Sequence, residues 1–391
     1  MRLSLFLFIA ALTSSVLAQE TKTITLKVSH PGFESKQAEE HKLQVKLDKD
    51  GNPLGYFMDV KSVFCSDEKC DVITLAMEWN KHGKFVGYKL PDGSTLTKYD
   101  HEPFDKADYA KFDELIKNNG SVLGQLEKHH IIVKNKDPEK NTKKGKKEKP
   151  KDVAGKSDAL EKVDAISGAT AAYIKEEVVE GAAYTCFTMW HWANGDTNTQ
   201  IRIHAQDTGS PSWLAGLLKS KDADEVDFAL QGIARRKLNE AEMQKTALAA
   251  SAAASMDGYK ILIDYLKAAN KDNAALFGSY QELMKTAEGK RRVYLLEQSL
   301  KSTEAPPITF FEAAAGQIMD FERFYELQLF LSLLEKHDAK SDKLYAGVIK
   351  MLEHKNFFFS RRAHAFLKDK ELPAAVKTSI EAYEKKHAGR L

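Results

Sequence analysis

The feature that most constrains this chain is a change in hydrophobic period along its length. Through residue 90 apolar and polar residues alternate; beyond about residue 209 apolar residues recur at helical spacing. Alternation buries one side of a strand, and a period near 3.6 buries one stripe of a helix. One kind of element cannot serve both patterns. The chain therefore reads as α+β, with an antiparallel sheet first and an all-helical half behind it.

The strand windows are residues 23–30 (Ile24, Leu26, Val28), 42–47 (Leu43, Val45, Leu47), 54–60, 72–79 (Ile73, Leu75, Met77) and 85–90. Pro31-Gly32, Asp50-Gly51-Asn52-Pro53 and His82-Gly83 punctuate them as turns. A loop over residues 96–104 follows. Residues 106–117 then carry Tyr109, Phe112, Leu115 and Ile116 on one helical face, closed by Asn119-Gly120.

At 391 residues the chain is too long for one ordinary core, so two domains are expected. Residues 1–18 have the layout of a signal peptide: Arg2, an apolar run over 3–12, and Val16-Leu17-Ala18 as the cleavage site. No Cys follows that site to anchor a lipid, and no later run is apolar enough to span a bilayer. The expectation is an exported protein, periplasmic or extracellular, with mature domains over 19–197 and 209–391 joined through 198–208. A net charge of +2 gives no general reason to expect a nucleic-acid partner. Export permits a disulfide, and Cys65 and Cys70 are close enough to bridge across four residues. Cys186 lies in an apolar helical context and reads as a buried thiol; a pairing with either other cysteine stays open.

Residues 134–157 form a Lys-rich loop, almost without apolar residues as far as 151, that cannot bury surface. Asp164-Ala165-Ile166-Ser167-Gly168-Ala169-Thr170 follows. Ser167-Gly168-Ala169 can bend tightly, and residues 171–179 read as a helix whose N-terminus could seat a phosphate. A second helix over 182–193 is crowded with Tyr184, Phe187, Met189, Trp190 and Trp192, with His191 between the two Trp residues. Those rings suit either a packed core or the walls of a cofactor site.

Asp164, Ser167, Gly168, Ala169 and Thr170 match, position by position, the flavinylation motif D-x-x-[ST]-G-A-[TS]. The chain here resembles the FMN-binding domains of the sodium-pumping NADH:quinone reductase C subunit and the Rnf complex G subunit. The resemblance covers at most residues 20–195. It implies an FMN-binding-like α+β domain, FMN joined to Thr170 by a phosphoester, and a flavin transferase that installs it outside the cytoplasm. It also makes Thr97 and Lys98, with His101, candidate flavin contacts. Family members often have a further Ser or Thr after the motif, where this chain has Ala171 and Ala172. A simple helix cap at Ser167 or Thr170 is the other reading of the same residues.

In the second half Ser210-Pro211 opens a helix, and helical windows follow at 225–235, 240–255, 258–269, 274–286, 291–300, 308–319, 321–336, 343–353, 360–367 and 374–386. Short antiparallel helices in succession fit an α-solenoid, loosely HEAT-like, or a compact bundle. Arg235-Arg236, Arg291-Arg292 and Arg361-Arg362 suit solvation or an acidic partner's face. No G-x-S-x-G, H-E-x-x-H or paired metal-ligand spacing supports hydrolase chemistry. The sequence thus points to an exported flavoprotein that carries electrons to a redox or envelope partner, more an electron carrier than a turnover enzyme. The alternative is a non-catalytic exported helical-repeat scaffold without flavin.

Overall fold

The computed structural model describes residues 20–29, 31, 38–63, 71–127, 131, 174–372 and 374–391. The chain divides into two compact units, Met1–Ser210 and Pro211–Leu391. The first holds an antiparallel sheet and the second is helical, so the architecture is α+β.

In the first unit β1 (Glu20–Ser29), β2 (Ala38–Leu47), β3 (Pro53–Lys61), β4 (Thr74–Asn80) and β5 (Phe85–Lys89) lie side by side in chain order. The register turns the sequence alternation into one apolar face. Val45 faces Tyr56, Tyr56 faces Trp79 and Trp79 faces Phe85; Met58 faces Met77 and Val60 faces Leu75. All of these side chains are buried. Cross-strand neighbours of this kind hold a sheet together more than strand propensity does.

Three helices cover the sheet unit: α1 (Lys106–Lys117), α2 (Ala183–Asn194) and α3 (Asp196–Thr208). α1 packs on β5 and α2, while α3 packs on α2, β1 and β3. The indole of Trp79 donates to Ala193 O at 3.0 Å, fastening the sheet to α2. Residues 198–208, expected as a connection, are thus helix. Ile201 and Ala205 bury one stripe, and the other side grips the β4–β5 turn. Asn198 donates to Gly83 O, and Arg202 donates to His82 O at 3.2 Å. Gly83 has φ +82°, and a Cβ there would lie 2.7 Å from Arg202 Cγ. Only glycine permits so close a docking.

The expected helix over 171–179 is not formed in its described part: residues 174–179 make turns, and α2 starts only at Ala183. Ile174, Val178 and Val179 are still buried. Gly181, at φ +76°, turns the chain beside the Lys98 side chain ahead of α2. The local helix propensity is weakened by two adjacent β-branched residues.

The second unit contains α4 (Pro211–Leu217), α5 (Ala223–Arg236), α6 (Ala241–Ala249), α7 (Met256–Ala269), α8 (Asn273–Met284), α9 (Gly289–Lys301), α10 (Ile308–Gly316), α11 (Phe324–Lys336), α12 (Asp342–Lys350), α13 (Phe357–Leu367) and α14 (Ala374–Lys386). Each helix packs on the next but one. α5, α7, α9, α11 and α13 form one row, and α4, α6, α8, α10, α12 and α14 form the other. Side-chain caps set several starts: Asp222, Ser255, Asp272, Ser341 and Asn356 each accept from an N–H of the first turn. Several helices are shorter than their windows. α6 ends at Ala249, α8 at Met284, α10 at Gly316 and α12 at Lys350, and α11 begins at Phe324, with 3-10 turns at Ala250–Ala252, Ile318–Asp320 and Met351–Glu353.

The arginine pairs are largely taken up inside this unit. Arg291 donates to Ala252 O and Ala254 O, capping the chain end of an earlier helix. Arg362 joins Gln328 and Glu335 of α11, each at 2.9 Å. Arg292 is buried.

Candidate functional site

Of the residues singled out by the sequence, Asp164, Ser167, Gly168, Ala169 and Thr170 lie outside the described residues, as do Cys65 and Cys70 and the Lys-rich loop at 134–157. Described are the loop carrying Thr97 and Lys98 and the segment from Ile174 that follows the motif in the sequence.

The loop is a tight structure. Thr97 bridges Pro103, Lys98 N donates to Glu102 O at 2.6 Å, and Phe104 N donates to Leu96 O at 2.8 Å. At its tip Asp100 and His101 hold φ values of 63° and 62°, a conformation that costs free energy outside glycine. Buried Phe104 and Leu96 anchor the two arms, and the Tyr109 hydroxyl accepts from Leu96 N at 2.9 Å. Asp105 then opens α1, accepting from Ala107 N and Asp108 N at 2.7 and 2.9 Å.

Thr97 is buried, and its hydroxyl accepts from Asp71 N at 3.3 Å. Lys98 lies between two carboxylates, with Nζ 3.0 Å from Glu102 and 3.1 Å from Asp108. Hydrogen bonds to Glu102 and Asp108 raise its pKa, so the ammonium stays charged but is already neutralised locally. His101 Nδ1 lies 3.1 Å from Asp71 Oδ1.

The loop also holds the exit from the motif. Tyr99 N donates to Gly181 O at 2.7 Å, Gly181 abuts the Lys98 stem, and Lys111 Nζ donates to Lys175 O at 3.4 Å. Residues 97–99 and 174–181, far apart in sequence, are therefore neighbours. The Lys98 pairing with Glu102 and Asp108 had no signal in the sequence beyond an i,i+4 spacing.

The aromatic helix α2 is core. Phe187, Met189, Trp190 and Trp192 are buried; Trp190 donates to Asn118 O at 2.8 Å, and a Cβ on Gly124 would lie 2.6 Å from the Trp190 ring. His191 packs on Phe187 with centroids 4.2 Å apart and reaches Leu123 O at 3.1 Å. Burial pushes its pKa down. Cys186 is a free, buried thiol pushed up to about 12 by burial, with Sγ accepting from Val179 N at 3.4 Å.

Among the described residues no group of His, Cys, Asp and Glu could hold a metal ion. None of the described helices is long and apolar enough to cross a membrane. No protein-family model, no curated protein and no solved structure matches the chain.

Proposed function

We propose that the protein is an exported flavoprotein carrying FMN on Thr170 and passing electrons to an extracytoplasmic partner. The Asp164–Thr170 motif carries the reading. The described residues add that the Tyr99–Gly181 bond holds the Thr97–Lys98 loop against residues 174–181, which follow the motif in the sequence. Thr170 supplies the hydroxyl for the phosphoester, Ser167-Gly168-Ala169 the bend around the phosphate, and Asp164 the carboxylate used during attachment by the flavin transferase. The flavin itself accepts and releases the electrons, while the protein fixes its position. With Lys98 neutralised by Glu102 and Asp108, backbone N–H groups of the Ser167-Gly168-Ala169 bend carry the phosphate contacts. The HEAT-like helical unit serves as the docking element.

The test is co-expression with a flavin transferase, denaturation, and in-gel fluorescence of the band. Wild-type protein fluoresces and Thr170→Ala does not. A dark wild-type band beside a labelled control substrate, or fluorescence that survives Thr170→Ala, overturns the assignment. A second reading, the flavin-free helical scaffold, is favoured by the two-row stacking of α4–α14, which builds an extended surface with no need for chemistry. The dark wild-type band is the outcome that selects it.

A further inference from the structure

The sheet of the first unit ends in a strand with one side unpaired. β5 pairs with β4 only, and among the described residues no backbone bond reaches its other side. Alternate residues of such an edge strand turn N–H and C=O outward, where they can template another strand. Trp79 faces Phe85 and Glu78 faces Gly87, so Val86 is the extra residue of a bulge. The regular stretch of the edge therefore begins at Gly87.

A groove of about 430 Å³ runs beside that stretch. Phe85, Gly87, Tyr88, Lys89 and Leu90 form one wall, and Tyr109, Asp113, Ile116 and Lys117 of α1 form the other. Gly87 has no side chain, so its place in the lining brings the strand's own backbone to the groove. From Tyr109 to Lys117 the helix wall is about 12 Å long. An extended chain covers that length in about four residues, which matches the stretch 87–90.

The two walls divide the chemistry. Phe85, Leu90, Tyr109 and Ile116 supply apolar surface. The Asp113 carboxylate accepts from the Tyr88 hydroxyl at 3.0 Å. Lys89 is the last residue of β5 and Lys117 the last of α1; both are exposed, and neither has a hydrogen bond or ion pair among the described residues. Two lysines against one carboxylate leave the groove positive.

We propose that β5 and α1 bind an extended acidic peptide of a partner protein, added to β5 as a sixth strand. The peptide backbone pairs with residues 87–90. Apolar side chains on one face lie against Phe85 and Ile116, and carboxylates flanking them meet Lys89 and Lys117. Backbone pairing supplies the affinity, and the contacts of alternate side chains supply the selectivity.

Fluorescence anisotropy of the full chain tests it, with a labelled, end-blocked peptide Glu-Glu-Val-Thr-Val-Glu-Glu. The comparison peptides are Lys-Lys-Val-Thr-Val-Lys-Lys and the acidic peptide methylated on its three central backbone nitrogens. The acidic peptide binds saturably, and the basic one binds at least about tenfold more weakly. The methylated peptide, which has lost its strand-pairing donors, is also weaker by about tenfold. The exposed double variant Lys89→Glu/Lys117→Glu, checked for native circular dichroism, reverses the preference between the acidic and basic peptides. No binding of the acidic peptide, equal binding of the methylated one, or a double variant that binds like the wild type overturns the proposal. A dimer of the chain in sedimentation velocity, together with no peptide binding, assigns the edge to a second copy and overturns it as well.

Discussion

The Arg292–Glu326 pair allows a prediction whose magnitude follows from the structure. Glu326 on α11 has a fully buried side chain, that of Arg292 on α9 is 6% exposed, and Nη1 and Oε2 are 3.7 Å apart. With an effective dielectric of about 20, unit charges at that distance attract by about 4.5 kcal/mol. The same Oε2 accepts from Arg323 N at 3.1 Å at the start of α11, adding about 1 kcal/mol of capping. Against this stands the cost of desolvating both ions, which makes the net worth of the intact pair small. Breaking it is different. Glu326→Leu leaves a buried guanidinium with only Asp320 O and the Phe321 ring, and should cost about 4 kcal/mol. Arg292→Met should cost a similar amount. The double variant removes both charges and should return to within about 1 kcal/mol of wild type. Urea unfolding followed by far-UV circular dichroism measures all three. The reasoning is refuted if Glu326→Leu costs under about 1 kcal/mol, or if the double variant loses the sum of the single losses.

Gly83→Ala should destabilise the sheet unit by about 3 kcal/mol, because positive φ and a 2.7 Å approach to Arg202 Cγ act together; a thermal melt within error of wild type would contradict it. Gly258→Ala sits inside α7, where alanine normally gains about 1 kcal/mol, yet its Cβ would fall 1.8 Å from Asp227 Oδ1, the acceptor for Ser255 N. Displacing that carboxylate outweighs the gain, and a net loss of about 1 kcal/mol in urea melts is expected. Cys186 should resist iodoacetamide at pH 8 in the folded protein and react once urea is added, since burial holds its thiol at about 12. Burial lowers the pKa of His41, His191 and His204, with Lys22 repelling the proton further at His204. Unfolded imidazoles titrate at 6.5, so the unfolded chain binds more protons just below that value. The sheet unit should therefore keep its full stability above pH 6.5 and lose it progressively below, a trend calorimetry would read as a falling melting temperature.

The elements of this protein are largely local. Period-2 runs such as Leu26–Val28 and Leu75–Met77–Trp79 became strands, and α1 occupies residues 106–117 as its apolar spacing and Asp105 cap required. The helices of the second half follow their stripes to within a few residues, because burying one face of each is the dominant favourable term and spacing alone decides which face. The proposed reading of Asp164–Thr170 rests in the same way on contiguous residues, and these lie outside the described ones.

What adjacency could not reveal, tertiary structure decided. Residues 198–208 look like a polar connection until Asn198 and Arg202 meet the turn at His82-Gly83, and residues 174–179 look helical but make turns ahead of Gly181, which lies beside Lys98. Lys98 reads as a candidate flavin contact and is held by Glu102 and Asp108; Arg292 reads as half of a surface pair and is buried against Glu326. Each of these depends on partners brought in from another part of the chain. A propensity worth a few tenths of a kilocalorie per residue yields to one close backbone approach or one desolvated charge. The sequence alone determined the two hydrophobic periods, and with them the kinds of element in each half. Which polar groups are paired, and with which partners, came only from packing those elements together.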